Sequence, residues 1–322
     1  MANITTVPVT KLGIVGAGSV GTSLAYAAII REAAREIALY DIDATRAEAE
    51  GLDLAHGTQF TGASTVTGGG DIEALAGADI IVITAGARQQ PGQSRLDLAG
   101  ANIRILEKLM PQLMEQAPDA VYVLVTNPCD VLTIAAQKIS GLPRNRIFCS
   151  GTVLDTSRLR WLLAKEAHVL MTSVHATIIG EHGDSEFPVW SNATIGPVPL
   201  QDWRVSGRQV FTDEFLAAAT DDVVNAAYRV IEGKGATNYA IGLAAVRIVE
   251  AVLQAENAVL PVSADLSGTY GISGVALSLP TVVGSGGVYT MLEMPMSEKE
   301  HGQLMASAEQ LQGELAKLGI SS

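Results

Sequence analysis

The stretch that decides the fold is Gly16-Ala17-Gly18-Ser19-Val20-Gly21, which directly follows the apolar run Lys11–Val15. Glycine has no Cβ, so it permits turns and close backbone approaches that other residues do not. We expect Gly16 to form a tight turn, Gly18 to let the backbone approach a pyrophosphate, and Gly21 to let a helix pack on the preceding strand. The N–H groups that open such a helix bind anions. The stretch therefore predicts a strand–loop–helix unit that binds a dinucleotide.

An acidic residue at a suitable distance supports this interpretation. Asp41 follows the second apolar run, Glu36–Tyr40, and lies 20 residues after Gly21 (41 − 21 = 20). A carboxylate there can accept hydrogen bonds from both ribose hydroxyls and would repel a 2′-phosphate. The alternative is a glycine turn followed by a solvent-exposed aspartate. The spacing favours the first interpretation and predicts NAD, rather than NADP, as the cofactor.

The first half of the chain alternates apolar runs with helical periodicity. Strands buried on both faces and spaced by helices are typical of a parallel sheet, and right-handed crossovers place helices on both of its faces. For residues 1–150 we therefore predict an α/β fold with a doubly wound parallel sheet of the Rossmann type. The predicted strands are 11–15, 36–40, 79–84 and 120–126, and the predicted helices are 20–34, 45–56 and 96–116.

After about residue 150 the pattern changes, and we predict a C-terminal α+β substrate domain over residues 151–322. Its β-rich part is three glycine-punctuated segments within 259–291, which are typical of an antiparallel meander. Ser297 and Glu300 form a capping box that opens a terminal helix ending near Gly319. The other predicted elements are helices at 156–167, 213–231 and 236–257 and a strand at 174–179.

The composition excludes several classes of protein. Among the 322 residues, 21 lysines and arginines stand against 34 aspartates and glutamates, giving a net charge of −13. That balance argues against a protein that neutralises nucleic-acid phosphates. Hydrophobic residues make up 48% and charged residues 17%, which excludes a disordered chain. Two domains around one cleft are the natural expectation at this length.

Signals for export, membrane insertion and metal binding are not recognised. Residues 1–10 lack the basic patch and apolar core of a secretory signal, and apolar runs such as 79–84 are far shorter than the ~20 residues that cross a bilayer. Cys129 and Cys149 make neither a disulfide framework nor a four-ligand zinc site. The histidines lack paired metalloprotease spacing, and no serine-hydrolase elbow is found. We expect a cytoplasmic protein with no metal, membrane or nucleic-acid partner.

The candidate reacting residues lie in the second half. His182 follows an apolar strand and is flanked by Gly180 and Gly183. Hydride transfer to a carbonyl needs a matching proton transfer, which imidazole performs near neutral pH, although a loop histidine can also be purely structural. Asp155 and Arg158 are three residues apart, so they share one helix face. They form either a surface ion pair or a working pair in which Asp155 holds the imidazole and Arg158 binds a substrate carboxylate.

Taken together, these segments closely resemble the lactate/malate dehydrogenase family, in its lactate dehydrogenase branch. The resemblance covers nearly the whole chain, and several multi-residue motifs occur in the family's order. The motifs are residues 16–21, Asp41, residues 86–95, residues 126–128, residues 155–158, residues 180–184 and residues 236–237.

The resemblance implies reversible hydride transfer between NADH and pyruvate, giving L-lactate. It implies that His182 is the general acid/base, that Asp155 orients it, and that Arg158 binds the substrate carboxylate in a bidentate contact. Arg95 would swing in on the loop 86–96 and polarise the carbonyl, and Asn127 would hydrogen-bond in the pocket. The implied substrate residues are Gln89, Arg95, Asn127, Arg158 and Thr237. The implied cofactor residues are Gly16, Gly18, Val20, Gly21, Asp41, Thr84, Ala85, Gly86, Asn127 and Ile241, the last packing on the nicotinamide.

Substrate choice in this family is implied to depend on the residue six positions before the loop arginine, here Gln89 (95 − 89 = 6). Malate dehydrogenases typically carry an arginine there, which meets the second carboxylate of oxaloacetate. Gln89 offers no positive charge, so burying that carboxylate would cost several kcal/mol. Thr237 supports the same choice. Arg88 would present a cation if the loop shifted by one residue, but Arg95 sets the count. Pyruvate is the expected substrate.

The resemblance also suggests regulation and assembly. Arg160 and His175 fall where bacterial members of the family bind fructose 1,6-bisphosphate between subunits, although they could equally be ordinary surface residues. Like charges from two subunits would repel until the bisphosphate bridges them. We expect a homo-oligomer, with a tetramer as the expected form.

Two other functions stay open at this point. A malate or other 2-hydroxy acid dehydrogenase differs from the expected activity in its substrate, and the residue at position 89 argues against malate. A non-catalytic NAD(H)-binding redox sensor belongs to another class of function, and it predicts the loss of His182, Asp155 or Arg158. All three are present.

Overall fold

The computed structural model describes residues 9–87 and 95–320, and for Arg95 it describes the backbone alone. The described chain contains strands and α-helices in alternation through its first half and short antiparallel pairs in its second. The strands are β1 (Lys11–Val15), β2 (Glu36–Tyr40), β3 (Thr65–Gly69), β4 (Ile80–Ile83), β5 (Val121–Leu124), β6 (Ile147–Cys149), β7 (Val174–His175), β8 (Ile178–Ile179), β9 (Phe187–Pro188), β10 (Thr194–Ile195), β11 (Val198–Pro199), β12 (Arg204–Val205), β13 (Arg208–Gln209), β14 (Ala258–Leu260), β15 (Ser263–Ser267), β16 (Ser273–Ser278), β17 (Thr281–Gly284) and β18 (Gly287–Met291). The helices are α1 (Ser19–Ile30), α2 (Ala44–Gly57), α3 (Arg95–Gln116), α4 (Cys129–Ser140), α5 (Val153–Ala167), α6 (Asp213–Val224), α7 (Ala226–Lys234), α8 (Tyr239–Leu253) and α9 (Glu298–Lys317).

The main sheet confirms the predicted doubly wound α/β fold. Its eight strands run in the order β16-β15-β6-β5-β4-β1-β2-β3, and all pairings from β6 to β3 are parallel. The direction of winding reverses at β1, which pairs with β2 on one side and β4 on the other. In such sheets ligands bind beyond the carboxyl ends of the strands, at this reversal. The loops after β1 and β4 therefore border the expected binding crevice.

Two apolar layers cover the faces of the main sheet. On one face, α1 and α8 pack over β1 and β2 through residues such as Leu24, Val246 and Ile14. On the other face, α3 and α4 pack through Leu106 and Leu132. Helix α8 belongs to the second half of the chain, so its position brings residues near 240 beside the glycine loop.

The second half differs from the prediction in several places. The predicted strand 174–179 is two strands, because β7 pairs with β10 whereas β8 pairs with β9. Between them the carbonyl of Ala176 accepts from Arg160 Nε at 2.9 Å. The predicted helix 213–231 ends at Val224, and α7 follows. Asn225 separates them, and its side chain donates to the Asp221 carbonyl at 3.0 Å, which competes with the helical pattern.

The predicted three-segment meander over 259–291 is also wrong in detail, since five strands occupy that region. Of these, β14, β17 and β18 form a separate antiparallel sheet, whereas β15 and β16 extend the main sheet beyond β6. Gly268 and Gly287 have φ of 99° and 89°, so they make reversals that an L residue would strain.

The terminal helix follows the sequence closely. The Ser297 side chain accepts from the Glu300 N–H, and the Glu300 side chain accepts from the Ser297 N–H, which completes the predicted capping box. Helix α9 packs on β16 through Leu304 and Leu311. It therefore lies behind the loop that carries His182.

Candidate active site

The loop after β1 has the geometry that the glycine pattern predicts. Gly16 has φ of 109°, and a Cβ there would lie 2.7 Å from Thr84 Oγ1 and 2.8 Å from the Ala85 nitrogen. A Cβ on Gly21 would overlap the Gly16 carbonyl oxygen. At Gly18 the added Cβ would meet nothing within 4 Å. Gly16 and Gly21 thus allow the backbone to close on itself, and Gly18 faces open space.

Helix α1 begins beside that open space. Its N-cap, Gly18, has no side-chain capping bond within the described part of the chain. The first N–H groups of the helix are therefore available to an anion. Asp41, at the end of β2, accepts from the Ala17 N–H at 2.7 Å and from the Asp43 N–H at 3.0 Å. These features fit a dinucleotide, with its pyrophosphate at the helix start and a ribose near the carboxylate.

A buried asparagine, Asn102 on α3, organises the loop after β4. Its Oδ1 accepts from the Ala87 N–H at 2.7 Å, and its Nδ2 donates to the Asn127 carbonyl at 2.8 Å. A Cβ on Gly86 would approach Asn102 Oδ1 to 3.1 Å. Asn102 therefore joins the two predicted pocket segments, 84–87 and 126–128. Sequence reasoning did not single it out.

Two more predicted residues approach the glycine loop through α8. Thr237 and Ile241 are half-buried around the start of this helix. The helix lies close to α1: Asn238 Nδ2 donates to Ser23 Oγ at 2.8 Å, and a Cβ on Gly242 would come within 3.0 Å of α1 backbone atoms. The structure thus places residues 237–241 beside the N-terminal part of α1.

The structure brings His182, Asp155 and Arg158 together. Asp155 is 1% exposed, and its two oxygens bind the other two residues. His182 Nδ1 lies 2.8 Å from Asp155 Oδ2, and Arg158 Nη1 donates to Oδ1 at 2.6 Å. An ionised carboxylate only accepts, so Nδ1 carries the proton of this bond. The imidazole and the guanidinium therefore converge on one buried carboxylate, although 24 positions separate them (182 − 158 = 24).

The charges in this group reinforce one another. Burial favours the neutral carboxyl, yet His182 and Arg158 outweigh it and hold the pKa of Asp155 below its ordinary value. Burial likewise disfavours a charged imidazole, but Asp155 and then Glu186 raise the pKa of His182 well above 6.5. The two carboxylates therefore favour the protonated form of the histidine.

Glu186 is a second carboxylate beside the same imidazole, and the sequence interpretation missed it. Its Oε2 lies 3.5 Å from His182 Nδ1 and accepts from the Gly183 N–H at 3.3 Å. Burial raises the pKa of Glu186 to about 7, although its bond to His182 opposes this increase. An acidic residue two positions after the predicted motif 180–184 is the signal that could have found it.

Asp130, on α4, holds the backbone of His182 from behind. Its Oδ2 accepts from the His182 N–H at 2.8 Å. The thiols of Cys129 and Cys149 lie 4.0 Å and 3.8 Å from its carboxylate oxygens, and burial raises its pKa to about 6. The sequence signal that could have identified Asp130 is a single acidic residue among the apolar residues that begin α4.

Ser307 on α9 completes the support of the loop that carries His182. Its Oγ accepts from the Glu181 N–H at 2.9 Å. The Glu181 carboxylate accepts from Ser185 Oγ at 2.6 Å and from Gln310 Nε2 at 3.2 Å. The successive N–H groups of residues 181, 182 and 183 therefore bind side chains from α9, α4 and the loop itself.

Two groups of three potential metal ligands occur among the described residues. One consists of Cys129, Asp130 and Cys149, and the other of Asp155, His182 and Glu186. In both, the ligand atoms already bind hydrogen-bond donors or acceptors within the group. The expectation of a metal-free enzyme stays a prediction.

The predicted regulatory pair lies on two neighbouring elements, Arg160 on α5 and His175 on β7. Arg160 is half-buried, and it donates to the carbonyl of Ala176, the residue next to the exposed His175. Burial lowers the pKa of Arg160. The structure therefore places both residues in one region.

Two of the residues predicted to bind the substrate are not fully described by the structure. Gln89 lies outside the described residues, and so does the side chain of Arg95, whose backbone begins α3. Their roles in substrate choice and carbonyl polarisation stay predictions.

The chain matches known families over nearly its whole length. Residues 10–149 match the model for the lactate/malate dehydrogenase NAD binding domain, and residues 152–319 match the model for the lactate/malate dehydrogenase alpha/beta C-terminal domain. The L-lactate dehydrogenase of Bifidobacterium animalis subsp. lactis is 50% identical over 97% of this chain and 98% of that protein. That of a Thermoanaerobacter species is 43% identical over 96% of this chain and 99% of that protein.

The chain also resembles solved structures of lactate dehydrogenases. A lactate dehydrogenase from a Medee basin deep-sea metagenome library superposes with a TM-score of 0.93 at 38% identity, covering 97% of this chain and all of that one. The minor L-lactate dehydrogenase of Enterococcus mundtii, in a ligand-bound form, gives a TM-score of 0.92 at 38% identity, covering 96% of this chain and 98% of that one. Within residues 9–87 and 95–320, no helix is both long and apolar enough to cross a membrane.

Proposed function

The chain belongs to the lactate/malate dehydrogenase family, and from that membership we propose that it is an NAD-dependent L-lactate dehydrogenase. It interconverts pyruvate and L-lactate by hydride transfer. The strongest support from its own geometry is the group in which His182 and Arg158 bind the two oxygens of buried Asp155. That group joins a proton donor to a carboxylate-binding cation, and a 2-keto acid needs both. Bound NADH supplies the hydride.

His182 supplies the proton. Because Asp155 accepts from Nδ1, transfer to the substrate oxygen falls to Nε2, the other ring nitrogen. The raised pKa keeps the ring charged before the reaction, so the developing negative charge on the carbonyl oxygen meets an imidazolium. In lactate oxidation the neutral ring takes the proton back. Asp155 fixes the ring and stabilises its charged form in both directions.

Arg158 binds the substrate carboxylate. A guanidinium has five N–H donors in a planar fork, so its bond to Asp155 leaves donors for a bidentate contact. The fixed position of Arg158 relative to His182 then sets the distance between carboxylate and carbonyl oxygen that the site accepts. On sequence grounds, Arg95 polarises the carbonyl and Gln89 selects the methyl group of pyruvate over a second carboxylate.

The residues of the N-terminal half fit NAD. Gly18 leaves space for the pyrophosphate, α1 offers its uncapped N–H groups, and the Asp41 carboxylate lies where a ribose would be bound. Thr84, Ala85, Gly86 and Ile241 would line the nicotinamide half. We place the domain boundary at residues 150–151, just after β6, with the substrate domain contributing α8 to the cofactor side.

The activity is tested with NADH and a panel of 2-keto acids, with and without fructose 1,6-bisphosphate. Pyruvate should give the highest kcat/KM, and His182→Asn should lower it by about 10²–10⁴-fold, the usual worth of a general acid. Full activity in that variant, or a preference for oxaloacetate, would contradict the proposal.

We also propose that the enzyme is a homotetramer activated by fructose 1,6-bisphosphate. Exposed apolar side chains on α1 and α8, among them Tyr26, Ile30, Tyr239 and Leu243, support burial against a second copy. The cation of Arg160 and the adjacent His175 suit a phosphate group. Sedimentation measures the oligomer, and superimposable pyruvate saturation curves with and without the effector would exclude activation. The two free, buried cysteines support a reducing compartment, the cytoplasm.

A further inference from the structure

The imidazole of His182 faces two carboxylates through one nitrogen. Asp155 Oδ2 lies 2.8 Å from Nδ1, and Glu186 Oε2 lies 3.5 Å from the same atom. One N–H makes one short hydrogen bond, and Asp155 receives it. Glu186 favours the charged ring through this longer contact and through its charge. The side chain of Glu186 is 3% exposed, so water screens that charge little.

Glu186 also shapes the loop that carries the histidine. The same Oε2 accepts from the Gly183 N–H at 3.3 Å. Gly183 has φ of 144°, a conformation that L residues rarely adopt. The Glu186 carboxylate thus bonds to the backbone one residue after His182 and also faces the imidazole ring. The position of the loop therefore determines how close the carboxylate lies to the imidazole.

The other charged residues near the ring bind groups other than the ring itself, or share their charge with a second cation. From α5, Arg158 neutralises one oxygen of Asp155. From α4, Asp130 binds the backbone of His182 rather than its ring, and Glu181 on the loop bonds to Ser185 and Gln310. Asp155 has one negative charge and contacts two cations, Arg158 and His182. Glu186 supplies a second negative charge beside His182.

We propose that Glu186 is a positioning residue for the reaction, whose carboxylate keeps the ring of His182 protonated and so extends pyruvate reduction to higher pH. The inference rests on the proposed function, because it assigns His182 as the proton donor. The Gly183 N–H can donate to a neutral oxygen as well as to a carboxylate. A substitution that removes only the charge of Glu186 therefore separates its electrostatic role from its structural one.

The sign of the effect follows from the site. Pyruvate reduction needs the imidazolium, and its rate is lost as pH rises through the pKa of His182. Asp155 and Glu186 raise that pKa against the effect of burial. Replacing the Glu186 carboxylate by a neutral amide therefore lowers the pKa, and the rate is lost at lower pH. An opposite charge this near moves a pKa by about 1–3 pH units, and sharing with Asp155 places the expected decrease near the lower end, about one pH unit.

The experiment uses the full-length enzyme and three variants. Glu186→Gln removes the charge and keeps an oxygen for Gly183, Glu186→Asp keeps the charge on a shorter side chain, and Glu166→Gln removes an exposed charge on α5 as the control. Two measurements are made: the pH dependence of kcat/KM for pyruvate with NADH, and the NMR titration of the His182 ring without substrate.

We expect both midpoints to fall by about one pH unit in Glu186→Gln, to fall less in Glu186→Asp, and to stay unchanged in Glu166→Gln. Unchanged midpoints in both position-186 variants, or a loss of rate that is equal at all pH values, would overturn the inference and leave Glu186 a structural role only. If Glu186→Gln fails to fold, Glu186→Ser, which also removes the charge, is measured in its place and decides by the same criterion. If the wild-type enzyme does not reduce pyruvate, the proposed function fails, while the NMR titration still tests the coupling of Glu186 to the ring.

Discussion

Replacing Asp155 by Asn removes the carboxylate that His182 and Arg158 share. The amide keeps the shape of the side chain, but it carries no charge and presents one acceptor instead of two. The structure gives bonds of 2.8 Å to the ring and 2.6 Å to the guanidinium, both within a site where Asp155 is 1% exposed. The variant therefore leaves two cations near each other without their common anion.

The size of the effect follows from the imidazolium. An opposite charge at this distance raises a pKa by about 1–3 pH units, which corresponds to about 1.4–4 kcal/mol. At a pH above the lowered pKa of His182, the protonated fraction of the ring falls about tenfold for every pH unit by which that pKa decreases. We expect kcat/KM for pyruvate at neutral pH to fall by about 10–10³-fold, with Glu186 limiting the loss.

The assay follows NADH absorbance across pH, with thermal unfolding measured in parallel. The loss should be smaller at acid pH, where the ring of the variant is again protonated. Glu166→Gln, on the exposed face of the same helix, controls for surface charge. A kcat/KM close to that of the wild type at neutral pH, in a variant that remains folded, would refute the role given to the Asp155–His182 bond.

The glycine loop, position 89 and the cap of α9 each give a further prediction. Gly18→Ala should raise the Kd for NADH about tenfold or more without lowering Tm, because the Cβ enters open space where the pyrophosphate binds. Gly21→Ala should instead destabilise the fold by about 1–3 kcal/mol, because its Cβ overlaps the Gly16 carbonyl oxygen; equal effects in these two variants, by calorimetry and NADH titration, would contradict the glycine assignments. Gln89→Arg should shift the ratio of kcat/KM for oxaloacetate to that for pyruvate about tenfold or more toward oxaloacetate, and an unchanged ratio would remove Gln89 from substrate selection. Despite burial, bonds from Ser191 and Ser297 lower the pKa of Glu300, so its ionised form stabilises the fold above its ordinary pKa and that contribution is lost as pH falls through the folded value. Glu300→Gln should cost about 1 kcal/mol at neutral pH and less in acid, and urea unfolding that shows the same cost at both pH values would exclude this linkage.

The parts of the fold that could be predicted are those with a local cause. The glycine pattern and continuous apolar runs predicted β1, β2, β4 and β5 and the parallel sheet, and the capping box predicted the start of α9. Helix α4 was not predicted, and its residues Cys129–Ala136 are all buried. Edge strand β3 was missed because its threonines are exposed and its valine and glycines are only half-buried, so no apolar run marks it. The antiparallel addition of β15 and β16 to the main sheet depends on pairing between Ser263 and Cys149, which are far apart in sequence.

The candidate site divides in the same way. Side chains that act on a ligand carry a recognisable motif, and so His182, Asp155 and Arg158 could be named in advance. Asn102 and Asp130 act through main-chain groups of other segments, with partners 15 to 52 positions distant in sequence. Such bonds depend on the folded arrangement, and a single sequence offers only weak signals for them. Glu186 faces a ring four positions earlier in a loop, where no helical periodicity points to the contact.

A crystal structure of the enzyme with NADH and oxamate, an isostere of pyruvate, shows whether His182 and Arg158 bind one substrate. We expect the oxamate carboxylate to make a bidentate contact with Arg158 and its carbonyl oxygen to lie within hydrogen-bond distance of His182 Nε2, with the nicotinamide against the adjacent carbon. Oxamate bound elsewhere, or the side chains of His182 and Arg158 directed to separate pockets, would contradict this expectation.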